Sequence, residues 1–544
     1  MSGGLASAFN RLVPASSTDL ARLKLLLSVV AVVTAALFVW PLFVIDRFDY
    51  PHAWVSAHFA TMARSFAEHG VIALGGVPVQ NNSPITSEPD FYIHWPPFGP
   101  IFLGWLFSAF RSDGELLVHA SSLSLVALQA ALLFLWLRQS ASLIAAAFGT
   151  LVLLNAPIVV KYGHVWLHLH LALLLAFAAF VAFHRAMLDA AYQCRTVAMG
   201  SLLFALACFT TWEPVLALPG LAVYLAIFRS RRAMLALTAY AAAGVAAIAA
   251  TFALYANEVE GLATRLIARA MFRAGLADFS VAGDTRLHDL ANFSPEHAMS
   301  WSGLLATWLG RLSLLGLVGL FALIFLLAQI AGKASRAGAD RNWLILAPLL
   351  AMWALWSALM PQHTFIHEYQ LVLGALPVAL AAGFVADRLG PLALASSATE
   401  ARTASLLRIG LLSTPVLLVL LRLPQDYQKF RAFRPEGSNA VQIGVLLRAL
   451  VPDGSVIFVP WYDMVPTYYS KLHIVRGIDG AAMIQRNAAA IRILCSDCRR
   501  YAVLRTDAEE GTAFGRIAWQ NDRWRLVELG MSLGESAADE ASPR

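Results

Sequence analysis

Long apolar runs alternate with polar connections over the first four hundred or so residues of the chain. Runs of roughly 20 apolar residues can cross a bilayer as helices, so the pattern predicts about eleven transmembrane helices. The predicted spans are residues 24–45, 115–137, 141–160, 164–184, 197–212, 215–228, 233–256, 302–330, 342–360, 365–386 and 404–422. The predicted fold class is therefore mostly α, with a cytoplasmic N-terminus at 1–23 and a polytopic membrane domain at 24–422.

One apolar run, at residues 98–110, is too short to cross a bilayer. It follows the acidic stretch that begins "EPDFYIHWPPFGP" at residue 88 and contains Pro96 and Pro97. Proline is tolerated in the first turn of a helix but not in its interior. We therefore predict that the outer loop 46–97 ends at these prolines and that a short helix at the membrane surface begins there.

The composition changes at about residue 424. Short β-type runs ("SVIFVPWY", "HIVRGI" and "RYAVLRT") follow one another, and "AAMIQRNAAAIRIL" has the spacing of a helix. This pattern predicts a small α/β domain at 423–532. The last residues, 533–544, are predicted to form a disordered tail.

Composition and charge agree with a membrane protein. Hydrophobic residues make up 59% of the chain and charged residues only 14%, against roughly 25% charged in a typical soluble protein. The net charge of +6 is clustered in short loops, where positive residues mark the cytoplasmic side. The Arg138 loop and the Arg229–Arg232 cluster face inward only if 98–110 is not a full span. No zinc-finger, P-loop or other nucleic-acid signature is present, so a nucleic-acid partner is not expected.

This orientation places the outer loops 46–97 and 257–301 and the C-terminal domain on the outer, non-cytoplasmic face of the membrane. Asp46 and Asp49 follow the first predicted span directly. A carboxylate at such a boundary can act as a general base, hold a metal or form a salt bridge. Alternatively, both could be solvated loop acids. Residues 53–69 have helical periodicity and are predicted to form an amphipathic helix on the surface.

Arginines recur in the second outer loop. Arg265, Arg269 and Arg273 are spaced at i, i+4 and i+8, which places them on one face of a helix. A guanidinium can grip phosphate oxygens with two contacts. The alternative is a surface helix that holds anionic lipid headgroups.

Polar residues also cluster at the outer ends of later spans. His363, His367, Glu368 and Tyr369 lie in "PQHTFIHEYQ", where they could face a reaction cavity or simply anchor the helix. The pair in "CSDC" at 495–498 could form a local disulfide or remain as free thiols. No surrounding pattern favours a redox motif or a zinc site there.

The membrane part of the chain, about 20–390, resembles the GT-C membrane glycosyltransferases. The similarity lies in an acid after the first helix, a surface helix that ends in "ARSFAEHG", and an acidic-aromatic stretch that reaches "HWPPFGPIFLG". "CFTTWEPVLALPGL" and "FIHEYQLVLGALPVALAAG" are similar to later segments of the same group. More narrowly, the chain resembles the branch with protein O-mannosyltransferase-like enzymes and the lipid A aminoarabinose transferase.

The resemblance implies transfer of a hexosyl or pentosyl group from a polyprenyl-phosphate donor to a glycan, lipid or protein acceptor in the envelope, on the periplasmic face of a bacterial inner membrane. It implies a general-base acid in the first outer loop, which maps to Asp49 with Asp46 second. The substrate-binding residues would be Glu88, Asp90, Tyr92, His94, Arg265, Arg269, Arg273, His367, Glu368 and Tyr369. A metal site is not assigned, although a divalent cation is used by some relatives and could be held by the acids near residue 90.

Two other functions are compatible with the sequence. A transporter or flippase of lipid-linked sugars would also be polytopic, but transporters tend to place charges near the bilayer midplane, and the predicted spans here are almost free of charge. A non-catalytic protein of the same fold is the other alternative, with its C-terminal domain binding a partner.

Overall fold

A computed structural model describes residues 47–82, 91–188, 194–259, 261–276 and 341–392, and much of the C-terminal region: 431–435, 437–461, 463–478, 498–506, 515–521 and 524–529. A few isolated positions are described elsewhere. Three predicted site residues, Asp46, Glu88 and Asp90, lie outside the described residues. The tail and most of three predicted spans also lie outside the described residues. These spans are 24–45, 302–330 (apart from residues 302 and 303) and 404–422.

The described part of the membrane domain is helical. Its helices, in chain order, are α1 (Ala53–His69), α2 (Phe98–Phe110), α3 (Glu115–Ser140), α4 (Leu143–Leu154), α5 (Pro157–Tyr162), α6 (His168–Leu188), α7 (Cys194–Cys208), α8 (Leu218–Phe228), α9 (Arg231–Glu258), α10 (Leu262–Arg273), α11 (Leu346–Leu359), α12 (Pro361–Ile366) and α13 (Val372–Leu392). Short 3-10 helices at Glu213–Ala217, Arg341–Ile345 and Glu368–Leu371 lead into α8, α11 and α13.

Five helical segments in the described residues are long and apolar enough to cross a membrane: Glu115–Ser140, His168–Leu188, Arg231–Glu258, Arg341–Leu359 and Glu368–Asp387. Each matches a predicted span. Four shorter apolar helices, Phe98–Phe110, Leu143–Leu154, Cys194–Cys208 and Glu213–Phe228, accompany them. These helices agree with a polytopic membrane fold, while the predicted count of about eleven spans stays a prediction.

The first outer loop carries α1 at the predicted bounds of 53–69. Thirteen of its seventeen residues are buried, so the helix does not lie on the surface as its periodicity suggested. It packs between α2 and the C-terminal domain. A Cβ atom added at Gly104 of α2 would lie 2.8 Å from the backbone oxygen of Ala63, so glycine lets the two helices touch. Helix α2 begins at Phe98, directly after Pro97, as predicted.

In the part that the structure describes, the C-terminal domain contains a five-stranded sheet with a short helix between two of its strands, and the helical residues 437–450 precede the sheet. The predicted helix "AAMIQRNAAAIRIL" lies outside the described residues, apart from residue 484. The strands are β1 (Val456–Val459), β2 (His473–Arg476), β3 (Arg500–Arg505), β4 (Gly515–Gln520) and β5 (Trp524–Leu529), and helix α14 (Met464–Ser470) connects β1 to β2. The strand order is β2-β1-β3-β5-β4. Strand β1 is parallel to β2 and β3, whereas β5 is antiparallel to β3 and β4. The three β-type runs of the sequence are thus strands; β4, β5 and α14 were not predicted.

A charged cluster joins this domain to the membrane domain. Arg64 of α1 is buried and contacts the Asp113 carboxylate at 2.6 Å through Nε. The same guanidinium donates to the backbone oxygen of Tyr468 at 2.9 Å and stacks over its ring at 4.3 Å. Lys471 reaches the same Asp113 oxygen at 2.9 Å. Helix α14 is therefore attached to α1 by a charge network as well as by apolar packing.

Backbone oxygens in α14 and just after it accept further hydrogen bonds from the first outer loop. The side-chain amide of Asn82 donates to the backbone oxygens of Thr467 at 2.7 Å and Leu472 at 3.2 Å. Tyr469 donates its hydroxyl to Glu115 at the start of α3. The membrane domain and the C-terminal domain thus share one continuous polar interface.

Removing the Arg64 guanidinium should weaken this interface. Arg64→Met keeps an apolar stem but leaves Asp113 with Lys471 alone and removes the Arg64 donor from the Tyr468 carbonyl. Hydrogen bonds to charged groups contribute about 1.5–3 kcal/mol. We expect a lower melting temperature in detergent and faster protease cleavage between the two domains. Arg448→Met, at an exposed helical position, is the matched control, and equal melting of the two variants would contradict this role of Arg64.

The interface should also weaken in acid. Burial alone would raise the pKa of Asp113, but Arg64 and Lys471 outweigh it and hold the pKa below the ordinary value of 3.8. Because the folded pKa lies below the unfolded value, the stabilisation is present above pH 3.8 and is lost as the pH falls through the folded pKa. Protease sensitivity measured from pH 7 to pH 3 should rise for the wild type. Asp113→Asn should be sensitive already at pH 7 and change less with pH; identical profiles would contradict the prediction.

Candidate active site

A cavity of about 410 Å³ opens where the first outer loop, α10, the α12 turn and the C-terminal domain meet. Its walls are rich in aromatic rings and histidines, with arginines on α10 and β2. The lining residues that carry polar groups or rings are Phe48, Tyr50, Trp54, His58, Phe59, Tyr92, His94, Trp95, His168, Arg269, Phe272, Arg273, His363, His367, Tyr369, Phe433, Asp463 and Arg476. A cavity of this size can hold a sugar ring and the groups attached to it.

Two arginines of α10 give the cavity a cationic wall. Arg269 and Arg273 are one turn apart and both line it, as their i, i+4 spacing predicted. The guanidinium carbon of Arg273 lies 4.6 Å from the centre of the Trp95 ring, a cation–π contact that fixes its plane. Burial lowers the pKa of Arg273, and the nearby Glu213 carboxyl opposes that shift. An arginine keeps its proton at neutral pH even so.

Burial lowers the pKa of three histidines that line the cavity. Burial and the neighbouring Arg273 lower the pKa of His367 to about 3. Burial, followed by nearby arginines, lowers the pKa of His94 and of His363 well below 6.5. The rings of His363 and His367 are 4.7 Å apart. These side chains can exchange hydrogen bonds with hydroxyl groups, while the positive charge of the cavity comes from arginine.

Asp49 lies in the chain between the lining residues Phe48 and Tyr50, and it is not itself among the lining residues that the structure describes. Its side chain is only 3% exposed. Oδ2 receives Nε–H of Arg434 at 3.2 Å and the hydroxyl of Ser438 at 3.4 Å. Oδ1 is buried and has no hydrogen-bond partner among the described residues. A buried carboxylate with one oxygen bonded and one oxygen unused is suited to accept a proton.

The structure brings together six of the predicted substrate-binding residues. Tyr92, His94, Arg269, Arg273, His367 and Tyr369 all line the cavity. Arg265 lies further back along α10 and is not among the lining residues that the structure describes. Glu368 is also absent from the described lining; it contacts Lys161 and Tyr162, and its Oε1 lies 3.6 Å from His52 Nε2.

Part of the cavity comes from the C-terminal domain and the segment before it, which the sequence did not connect with the site. Phe433, Asp463 and Arg476 line it, and Arg434 contacts Asp49 across a separation of 385 residues. No local pattern reports such a contact. The one available signal was the clustering of charged and aromatic residues in "QDYQKFRAFRPEGS", just after the last predicted span.

Among the described residues, no group of three or more His, Cys, Asp or Glu side chains could hold a metal ion. Cys194 and Cys208 are free thiols. Cys498 is disulfide-bonded, in agreement with the disulfide alternative for "CSDC"; Cys495 itself lies outside the described residues.

Comparisons with known proteins bear on the fold. No protein-family profile matches the chain, and no curated protein sequence matches it significantly. Among solved structures, ArnT from Cupriavidus metallidurans bound to undecaprenyl phosphate is similar over 97% of this chain and 100% of its own, with 15% sequence identity and a TM-score of 0.52. The chain has a GT-C fold. The resemblance predicted from the sequence is thereby confirmed for the fold, since ArnT is a GT-C lipid A aminoarabinose transferase.

A second GT-C structure resembles the chain more distantly. The oligosaccharyltransferase AglB from Archaeoglobus fulgidus, in complex with an inhibitory peptide and a dolichol-phosphate, matches 90% of this chain and 69% of its own. The sequence identity is 12% and the TM-score is 0.48. The similarity to ArnT, at 15% identity, shows the fold alone, so the activity has to be argued from the cavity.

Proposed function

We propose that this chain is an integral-membrane glycosyltransferase that moves a sugar from a polyprenyl-phosphate donor to an envelope acceptor. The observation that carries the proposal is the cavity: three arginines, two of them on α10, and several aromatic rings line it, and a buried carboxylate adjoins it in the chain. A phosphate-linked sugar needs these three features. The GT-C fold supports the proposal, because ArnT of that fold was solved with undecaprenyl phosphate bound.

The arginines bind the leaving phosphate in this scheme. As the bond between the sugar C1 and the phosphate oxygen breaks, negative charge builds on the phosphate. Arg269 and Arg273 lie one turn apart on α10 and can offer planar, charge-assisted hydrogen bonds to it. The Trp95 ring under Arg273 keeps that guanidinium in place. A cation would add to this charge, but no step depends on one.

Asp49 acts on the acceptor in the same scheme. The acceptor hydroxyl gives its proton to the Asp49 carboxylate, its oxygen forms a bond to the sugar C1, and polyprenyl phosphate departs from the opposite face. The sugar configuration is inverted by this single displacement. Tyr92, His94, His367 and Tyr369 line the cavity, where rings and imidazoles can contact sugar faces and hydroxyls. Asp46, Glu88 and Asp90 remain proposed supports for the base and the acceptor.

The charge pattern of the loops supports a proposed location. We place the cavity and the C-terminal domain on the periplasmic face of a bacterial inner membrane, because the basic loops between spans are then cytoplasmic. A cysteine introduced at exposed Asp453 should react with a membrane-impermeant maleimide in intact spheroplasts. A cysteine at Arg138 should react only after the membrane is opened, and the reverse pattern would contradict this orientation.

The activity itself is tested in vesicles that contain the purified protein, a polyprenyl-phosphate sugar pool and envelope extract. Transfer should release free polyprenyl phosphate in proportion to glycosylated acceptor. Movement of intact lipid-linked sugar across the bilayer, with no polyprenyl phosphate released, would support the transporter alternative. If the vesicles show no release of polyprenyl phosphate and no movement of lipid-linked sugar, the result would support a non-catalytic protein of this fold.

A further inference from the structure

The segment before the C-terminal domain contacts the proposed base from outside the membrane domain. Residues 431–435 and 437–450 are helical. From the first part of this segment Arg434 donates to Asp49 Oδ2, and Ser438 donates to the same oxygen from the second part. The other carboxylate oxygen, Asp49 Oδ1, is buried and has no hydrogen-bond partner among the described residues.

Close packing supports these bonds. A Cβ atom added at Gly437 would lie 2.7 Å from backbone atoms of Asp49, so glycine allows the segment to lie directly on the residue it bonds. Gly437 also lines the cavity, as does Phe433. The segment therefore covers the loop of Asp49 and borders the cavity at the same time.

The backbone on either side of Asp49 is held as well. The amide of Phe48 donates to the hydroxyl of Tyr469 at 3.0 Å. The hydroxyl of Tyr50 donates to Ser56 at 2.8 Å, and Ser56 in turn accepts the amide of Trp166 at 3.0 Å. Because the neighbouring residues are fixed, the direction of the carboxylate depends on the bonds to its side chain.

We propose that Arg434 and Ser438 are positioning residues, which hold Oδ2 of Asp49 so that Oδ1 takes the proton of the acceptor hydroxyl. This inference rests on the proposed function, because it assigns a role to contacts of the proposed base. Arg434 touches no part of the donor phosphate in this scheme. Its side chain is 46% exposed, so its substitution removes the bond to Asp49 without opening a cavity in the core.

The test is a double-mutant cycle in the vesicle assay. Arg434→Gln should lower the transfer rate at saturating acceptor by about ten- to a hundredfold, since small displacements of a reacting group have effects of this size. Ser438→Ala should lower it less, and Arg434→Lys should restore part of the rate. Arg431→Gln is the matched control, on the same exposed segment, and should match the wild type.

Two readouts separate positioning from a structural role. In an Asp49→Asn background, Arg434→Gln should cause no further loss, because residues that act through one another are non-additive. Undecaprenyl phosphate should bind Arg434→Gln and the wild type equally, and their melting temperatures should agree. A further loss in the Asp49→Asn background, weaker undecaprenyl phosphate binding, or a wild-type rate in Arg434→Gln would each overturn the inference.

The inference and the proposed function fail in different ways. If the wild-type protein transfers no sugar, the proposed function is wrong. If the wild type transfers sugar and Asp49→Asn does so at the same rate, Asp49 is not the base and the role of Arg434 falls with it. If Asp49→Asn is impaired while Arg434→Gln is not, only the positioning role is wrong.

Discussion

Asp49→Asn is expected to lower sugar transfer by about 10²- to 10⁴-fold, the usual contribution of a general base. Asparagine has nearly the same shape and can still bond Ser438, so the loop should keep its fold. It cannot accept a proton from the acceptor hydroxyl. The rate is measured as labelled sugar that reaches the acceptor fraction in vesicles. Undecaprenyl phosphate binding should be unchanged, because the phosphate is assigned to the arginine wall.

Asp453→Asn is the control for this variant, since Asp453 is exposed in a turn before β1. It should transfer sugar at the wild-type rate. If Asp49→Asn also keeps the full rate, the carboxylate has no catalytic role. The acids outside the described residues, Asp46, Glu88 and Asp90, would then be the next candidates.

Arg273→Gln is expected to lower transfer by about 10²- to 10³-fold, the effect of removing one donor that stabilises developing charge. Unlike Asp49→Asn, it should also weaken undecaprenyl phosphate binding, because in the proposed scheme this guanidinium binds the phosphate before and after transfer. Arg273→Lys should be intermediate, since lysine keeps the charge but loses the planar fork and the contact with Trp95. Binding is measured by the shift in melting temperature with added lipid phosphate.

The order of effects along α10 is a further outcome of the same experiment. Arg269→Gln should have a smaller effect than Arg273→Gln, and Arg265→Gln the smallest, because Arg265 is not among the described lining residues. Arg448→Gln, at an exposed position outside the site, is the control. Equal losses for all three α10 arginines would indicate that the helix binds anionic headgroups by its net charge.

Local patterns predicted the elements of the membrane domain well. The helical periodicity of the apolar residues predicted α1 at 53–69, and the double proline predicted the start of α2 at Phe98. The i, i+4 spacing placed Arg269 and Arg273 on one face, and both line the cavity. Each of these features depends on residues that are close in the chain, so a sequence pattern reports it directly.

Contacts between distant segments could not be predicted in this way. The amphipathic pattern of α1 indicated a surface helix, but an α/β domain some four hundred residues away covers it, and Arg64 is buried by that contact. The segment that leads into this domain supplies Arg434 and Ser438 to Asp49. Glu368 was placed with its neighbours Tyr369 and His367, yet it contacts Lys161, because a 3-10 turn directs adjacent side chains to different sides.

The central claim is that the protein transfers a sugar from polyprenyl phosphate to an envelope acceptor. Mass spectrometry of envelope glycans and polyprenyl-phosphate lipids tests it most directly, in cells without the gene and in cells complemented with the wild type or Asp49→Asn. The account predicts that deletion removes a sugar from a glycan, lipid or protein and that its polyprenyl-phosphate form accumulates. Complementation with the wild type should return the missing sugar and remove the accumulated polyprenyl-phosphate form, and complementation with Asp49→Asn should do neither. Unchanged glycan and lipid profiles on deletion would contradict it.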